Sequence, residues 1–283
     1  MTLKNKWVLI TGASSGFGAA AARAFGAESS NLLLGARRVD RLKDVAAEAR
    51  EAGAPEAHFH ALDVSKTSSV DAFVAWARQT ITDHQSPATN PQPPITDHRS
   101  LITPPRPPRL DVLINNAGGA HGVNTVAEGK DDDWETMLQT NVLGVLRMTR
   151  AALPLMLDNP GSSLINIGSL AGHVAYEGGA AYCAAKAGEL QITRTLRLEL
   201  NGTGIRVTTV DPGLAETEFS IVRFKGDVAR AKKVYEGTRP LTAEDIADIL
   251  VWAASRPAHV NIDELLVKPV DQAAVHKVYR RAT

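Results

Sequence analysis

The chain has 283 residues, and its 31 Lys plus Arg balance 31 Asp plus Glu, giving a formal net charge of zero. That balance excludes a basic nucleic-acid-binding domain, which needs clustered cations to displace counterions from phosphates. With 44% hydrophobic and 22% charged residues the chain can bury a sizeable core, and disorder throughout is excluded.

The elements begin with a strand over Trp7 to Thr11. Gly12, Ser14, Ser15, Gly16, Phe17 and Gly18 follow it, at the start of a helix predicted over Gly16 to Phe25. Glycines placed between a strand and a helix let the chain turn tightly and approach a pyrophosphate, which then sits on the free N–H groups of the helix start. The second strand, Asn31 to Leu34, ends in Gly35-Ala36-Arg37-Arg38. A carboxylate at this strand end would bind the ribose hydroxyls of NAD, whereas Arg37 and Arg38 suit a 2′-phosphate. NADP is therefore favoured over NAD; the alternative is a solvated arginine pair opening the next helix, Arg38 to Glu51. A third strand at Ala57 to Leu62 and a helix at Ser69 to Gln79 come next.

Between Ile81 and Pro108 lie eight of the fifteen prolines and no Phe, Trp or Tyr. The segment is a tandem repeat, since ITDHQSPATNPQPP and ITDHRSLITPPRPP agree at nine of fourteen positions. Proline removes backbone donors and fixes φ, so the expected state of 81–108 is a polyproline-like or disordered loop without helix, central strand or core. Because it enters the next strand, Asp111 to Ile114, at its amino end, it is expected to be dispensable for catalysis, although it is long enough to reach a neighbouring subunit.

A long helix is predicted over Asp132 to Met156, then a strand at Ser163 to Ile167 and a helix at Ala180 to Leu200. The chain closes with strands at Arg206 to Val210 and Glu264 to Lys268 and a helix at Ala243 to Ala254. This last helix opens on Thr242-Ala-Glu-Asp245, a capping-box pattern. Such βα alternation demands right-handed crossovers and a parallel sheet covered on both faces, here one Rossmann-like doubly wound α/β domain spanning 1–283.

Ser169 precedes Tyr182 by thirteen residues, and Lys186 follows four later. On a helix, positions i and i+4 share a face, so the Lys186 ammonium can favour the ionised form of the Tyr182 phenol, a usable acid/base. Tyr176 has Ala180 at the same spacing and reads as a packing or rim residue. Cys183, the single cysteine, reads as a small helix residue facing the fold. It can form no intramolecular disulfide and fits a reducing, cytoplasmic compartment. No apolar run reaches the ~18 residues of a membrane span, and Met1 to Lys6 leave no room for a signal peptide. His58, His60, His121 and His173 show no metal-ligand spacing, so no metal is expected.

These motifs, with Asp63-Val64, Asn115-Asn116-Ala117-Gly118, Asn141 and Pro212-Gly213, make the chain resemble a short-chain dehydrogenase/reductase from Trp7 to Gly213. The resemblance implies a seven-stranded parallel sheet and a role for each position. Tyr182 exchanges a proton with the substrate oxygen, Ser169 hydrogen-bonds that oxygen, Lys186 binds the nicotinamide ribose, and Asn141 holds a relay water. Asp63 and Val64 bracket the adenine, Asn116, Ala117 and Gly118 line the cofactor cleft, and Pro212, Gly213 and Thr217 approach the nicotinamide. It also implies a homo-oligomer, commonly a tetramer.

Thr217-Glu-Phe-Ser-x-Val-Arg-Phe-Lys-Gly-Asp227, Leu241-Thr-x-Glu-Asp245 and Arg256-Pro-x-His-Val-Asn-Ile262 resemble the NADP-dependent 3-hydroxy acid and serine dehydrogenases within that family. A small carboxylate-bearing substrate is then expected. Arg223 or Lys225 would pair with its carboxylate, or both are solvated charges of the lid. Three functions remain open: an NADP-dependent oxidoreductase of serine or another 3-hydroxy acid, a reductase of other aldehydes, ketones or alcohols, and a non-catalytic NADP-binding regulator.

Overall fold

A computed structural model describes residues 2–85 and 107–282. Seven strands, β1 (Trp7–Thr11), β2 (Asn31–Ala36), β3 (Ala57–Ala61), β4 (Val112–Asn115), β5 (Ser163–Ile167), β6 (Arg206–Pro212) and β7 (Glu264–Val267), form a wholly parallel sheet in the order β3-β2-β1-β4-β5-β6-β7. The helices are α1 (Gly16–Ala27), α2 (Val39–Ala52), α3 (Thr67–Gln85), α4 (Asp131–Leu138), α5 (Gly144–Ala152), α6 (Ala180–Glu199), α7 (Phe219–Arg223), α8 (Val228–Lys233) and α9 (Ala243–Ala254).

The period-2 alternation of a strand sorts β1 onto both faces. Val8 and Ile10 join Phe25, Leu32, Val45 and Leu250 under α1, α2 and α9. Trp7 and Leu9 join Phe73, Leu113, Met148, Leu164 and Leu196 under α3, α5 and α6. Both faces of the sheet are therefore covered, as a parallel sheet requires. Strand order reverses direction between β1 and β4, which opens the crevice at the strands' carboxyl ends where such folds bind ligands.

The capping box at α9 is formed: the Asp245 N–H donates to Thr242 Oγ1 at 3.1 Å, and the Thr242 N–H donates to Asp245 Oδ2 at 2.8 Å.

Three expectations need correction. The segment beginning at Ile81 does build helix and core, because α3 runs on to Gln85 and Ile81 is fully buried. Ile81 extends the apolar face of Val70, Phe73, Val74 and Ala77, and this helical periodicity outweighs the polar residues around it. A deletion starting at Ile81 would remove a core side chain, a loss of about 2–5 kcal/mol on truncation, so 81 does not mark the insert's edge. The remainder of the repeat, 86–106, lies outside the described residues. The predicted long helix from Asp132 is instead α4, a π-helical turn over Gln139–Leu143, α5 and a 3-10 turn over Leu153–Leu155 containing Pro154. The third difference lies after β6, where α7, α8 and an antiparallel hairpin of β8 (Gln272–Ala274) and β9 (Lys277–Val278) were not foreseen.

Candidate active site

Gly12 has φ of +66°, and a Cβ there would stand 2.9 Å from the Ala117 Cα, so only glycine lets the loop after β1 approach the one after β4. The two loops are laced together. Thr11 Oγ1 accepts from the N–H groups of Asn116 and Ala117 at 3.0 and 2.9 Å, while Asn116 Nδ2 donates to the Thr11 and Gly12 carbonyls. A cleft of about 670 Å³ opens above them, lined by Gly12, Ser14, Ser15, Gly16, Phe17, Asn116, Ala117 and Gly118. Gly18 is not in the lining; a Cβ there would meet the Gly12 carbonyl at 2.5 Å, so its place is in packing α1 under the loop.

At one end of the cleft stand Arg37, Arg38, Asp63 and Val64. Arg38 is held in place, donating to Ser14 Oγ at 3.2 Å, Ser15 Oγ at 2.6 Å and Glu218 Oε2 at 2.9 Å. Arg41 also pairs with Glu218. Burial tends to raise the Glu218 carboxyl, but hydrogen bonds from Arg41, Arg38 and Ser15 bring it down to about 2. Arg37, exposed at the rim, makes no hydrogen bond or ion pair among the described residues. Asp63 accepts from Ser65 Oγ at 2.6 Å, and its pKa lies below the ordinary value because this bonding and the charge of Arg37 outweigh partial burial.

Ser169, Tyr182, Lys186, Pro212, Gly213 and Thr217 line the other end. Ser169 caps the 3-10 turn after β5, where its Oγ accepts from the Ala171 N–H at 3.1 Å and keeps its own hydrogen to donate. Tyr182 and Lys186 are buried one turn apart on α6, and the Tyr182 phenol makes no hydrogen bond to a described residue. Lys186 Nζ donates to the Ile167 carbonyl at 2.8 Å and to Glu189 Oε2 at 2.6 Å. Burial disfavours the ammonium, yet Glu189 and the Tyr182 phenol hold the Lys186 pKa above the ordinary lysine value.

A buried chain of side chains registers α6 against the sheet. Asn115 Nδ2 donates to Thr149 Oγ1 and Asn166 Oδ1, and Asn166 Nδ2 donates to Thr193 Oγ1. Asn141 lies in the π-helical turn, 1% exposed and outside the cleft lining. Its side chain bonds both the N–H and the carbonyl of Gly119, which fixes the loop after β4 beside Lys186.

Over the cleft, α7 brings in Arg223. Its Nε donates to the Gly122 carbonyl at 3.1 Å, and its guanidinium carbon lies 5.4 Å from the Tyr176 ring centroid and 5.8 Å from that of Tyr182. Burial pushes the Tyr176 phenol up to about 12, against the influence of Arg223, so it is a neutral wall. Lys225 instead pairs with Asp133 at 2.9 Å and does not line the cleft.

The pattern of the family described as "short chain dehydrogenase" matches residues 6–83 and 105–227. The chain belongs to this family. Among relatives, this short-chain dehydrogenase is 40% identical to the sulfoacetaldehyde reductase of Chromohalobacter salexigens over 267 residues, 94% of each chain. It is 38% identical to the NADP-dependent 3-hydroxy acid dehydrogenase of Schizosaccharomyces pombe, across 99% of this chain and 98% of that one. A solved closed form of serine dehydrogenase complexed with NADP+ superposes with a TM-score of 0.80 at 36% identity, covering 98% of this chain and all of the other.

Two carboxylates of this short-chain dehydrogenase do not stand out in the sequence. Glu189 is 1% exposed and pairs with Lys186, and burial pushes its carboxyl up to about 7 despite the ammonium beside it. Its place three residues after Lys186 is a signal a helical wheel offers, but only the sheet covering α6 separates this pair from a surface one. Glu218 became visible only when the chain after β6 was seen to fold back over α2. Tyr176 sits where a rim residue was expected, and Cys183 is buried beside Tyr182 in a small apolar cluster with Ala120 and Met137.

Proposed function

We propose that the chain is an NADP-dependent oxidoreductase interconverting a small hydroxy acid, such as serine or another 3-hydroxy acid, and its carbonyl counterpart. Arg223 carries this reading, because it puts a fixed cation over the aromatic wall beside Tyr182. The relatives' names support it: a 3-hydroxy acid and sulfoacetaldehyde both carry an anionic group one carbon from the carbon that reacts. A guanidinium binds carboxylate and sulfonate alike through paired N–H donors.

The cleft fits a dinucleotide, with a glycine cradle that a Cβ at Gly12 would obstruct and, at the adenine end, an Arg37 that pairs with no described residue. The loop from Gly12 to Phe17 would receive the pyrophosphate, Arg37 and Arg38 the 2′-phosphate, and Asp63 and Val64 the adenine. Asn116, Ala117, Gly118, Pro212, Gly213 and Thr217 would hold the nicotinamide half. When bound, the cofactor supplies the hydride chemistry. The chain's own groups orient the substrate and move its proton. Tyr182 Oη holds or receives the proton of the substrate oxygen, and Ser169 Oγ donates to the same oxygen. Lys186, two of whose donors are engaged by Ile167 and Glu189, keeps its third for a ribose hydroxyl and sets the field at Tyr182. Asn141 fixes the loop beside Lys186 and belongs to the relay that returns the proton to solvent. Exposed Leu138, Leu143 and Leu146 on the α4–α5 surface support assembly with further copies of the chain.

Two substitutions test the assignments. Arg37→Ala is expected to weaken NADP binding by about tenfold to a hundredfold, the loss of a charge-assisted hydrogen bond, and to leave NAD unchanged. Fluorescence titration with each cofactor measures this, and equal losses would remove Arg37 from the 2′-phosphate. Arg223→Ala is expected to lower kcat/KM for a hydroxy acid by about ten- to a hundredfold while sparing the uncharged alcohol of the same length. Parallel losses on both substrates would remove Arg223 as the anion clamp.

A further inference from the structure

We propose that Glu56, His58 and His84 form a site for one transition-metal dication of the zinc class, at the amino end of β3 and away from the catalytic cleft. Each offers one ligand atom, and the three atoms lie within 4.8 Å of one another. Glu56 Oε2 is 3.0 Å from His58 Nε2 and 3.5 Å from His84 Nε2. Ligands about 2.1 Å from a tetrahedral zinc stand about 3.4 Å apart, so the His84 gap of 3.5 Å has the required span and the His58 gap of 3.0 Å needs to open by about 0.4 Å.

The ring orientation is preset. His84 Nδ1 lies 2.8 Å from the Thr80 carbonyl, an acceptor only, so in the neutral tautomer Nδ1 carries the proton and Nε2 is left as an acceptor 3.5 Å from the Glu56 carboxylate. Two acceptors facing each other call for a cation between them. The His58 and His84 rings lie 4.8 Å apart, so both imidazoles can reach one ion beside the carboxylate. A dication satisfies all three lone pairs at once, with water completing the coordination on the exposed side.

Sequence spacing concealed this group, because Glu56 and His58 flank the start of β3 while His84 arrives from the last turn of α3, on the sheet's edge. The location also gives it a role. The family pattern stops at residue 83 and resumes at 105, so His84 is the first residue of the stretch that the pattern leaves out. A metal here would pin the end of α3 to the edge strand where that stretch departs, stabilising the folded chain by mass action.

The test is calorimetric titration of the full, untagged chain with zinc chloride alone, in parallel with His84→Ala and Glu56→Gln. One equivalent of zinc should bind the wild type and raise its Tm, with affinity at least tenfold weaker in each variant, and oxidoreductase activity should be the same in all three. Trp7 stacks 6.4 Å from His58 and stands edge-on 5.8 Å from His84, so copper titration should quench tryptophan fluorescence in the wild type and not in His84→Ala. Absence of saturable one-equivalent binding overturns the proposal, as does binding that survives both substitutions, which would assign the ion to another part of the chain.

Discussion

Tyr182→Phe is expected to lower kcat by about 10²–10⁴-fold, the usual contribution of a positioned general acid or base, while NADP binding stays within about twofold. Tyr182 lines the cleft and its phenol makes no hydrogen bond to a described residue, so the substitution removes the proton-transfer group and leaves packing against Phe219, 5.6 Å between ring centroids, in place. Single-turnover nicotinamide absorbance separates chemistry from binding. Activity that survives the change would reject the mechanism, and a wild type that binds NADP but turns over no hydroxy acid, aldehyde or alcohol would leave the chain a binding regulator.

The second large effect belongs to Glu189. Replacing it with Leu leaves the Lys186 ammonium nearly buried without its anion, and breaking such a pair costs about 3–5 kcal/mol. Urea denaturation of the cofactor-free protein at pH 8 reads that loss. Burial then dominates at Lys186 and lowers its pKa, so the alkaline limb of the kcat profile should shift to lower pH. The conservative Glu189→Gln tests the titration itself. The carboxyl sits at about 7 in the fold against an ordinary 4.5, so the folded state binds the proton more tightly. Its contribution to stability is complete below the ordinary value and is lost as pH rises to about 7. Wild-type Tm should therefore fall through this window by more than that of Glu189→Gln. Equal slopes would show that Glu189 does not titrate there.

How far the sequence could be read depended on whether local spacing carried the information. β1, β5 and α9 begin and end where their residues predicted, because each is an apolar run with punctuation at both ends: glycine after Thr11, a capping box before Ala243. The region from Asp132 to Met156 kept its helical period but not its continuity. The π-helical turn is accompanied by Asn141 contacts to Gly119, a partner 22 residues away that no local propensity encodes. The short α7 and α8 escaped because five or six residues are too few to show a period. The α3 boundary was misplaced because prolines downstream overshadowed Ile81, whose burial depends on the sheet.

The site divides in the same way. The placing of Gly12, Tyr182 and Lys186 along one cleft was legible because glycines after a strand and a helical i, i+4 pair are local geometric statements, while Ser169 was named through the family resemblance and lines the same cleft from the turn after β5. Arg223 was left open between clamp and solvated lid charge, and only the return of α7 over the cleft put it beside Tyr176 and Tyr182 while Lys225 turned to Asp133.

By itself, then, the sequence of this protein determined the βα alternation, the glycine loop after β1 and the one-turn spacing of Tyr182 and Lys186, because covalent connection and helical or pleated periodicity hold those groups at fixed separations. Tertiary structure alone decided that Glu189 is a buried partner of Lys186, that Glu218 holds Arg38 and Arg41 while Arg37 pairs with no described residue, and that Glu56, His58 and His84 converge. The physical reason is common to all three: burial and long-range pairing depend on which surfaces of the sheet and helices cover one another, and the strength of a charge interaction follows from that covering, whatever the distance along the chain.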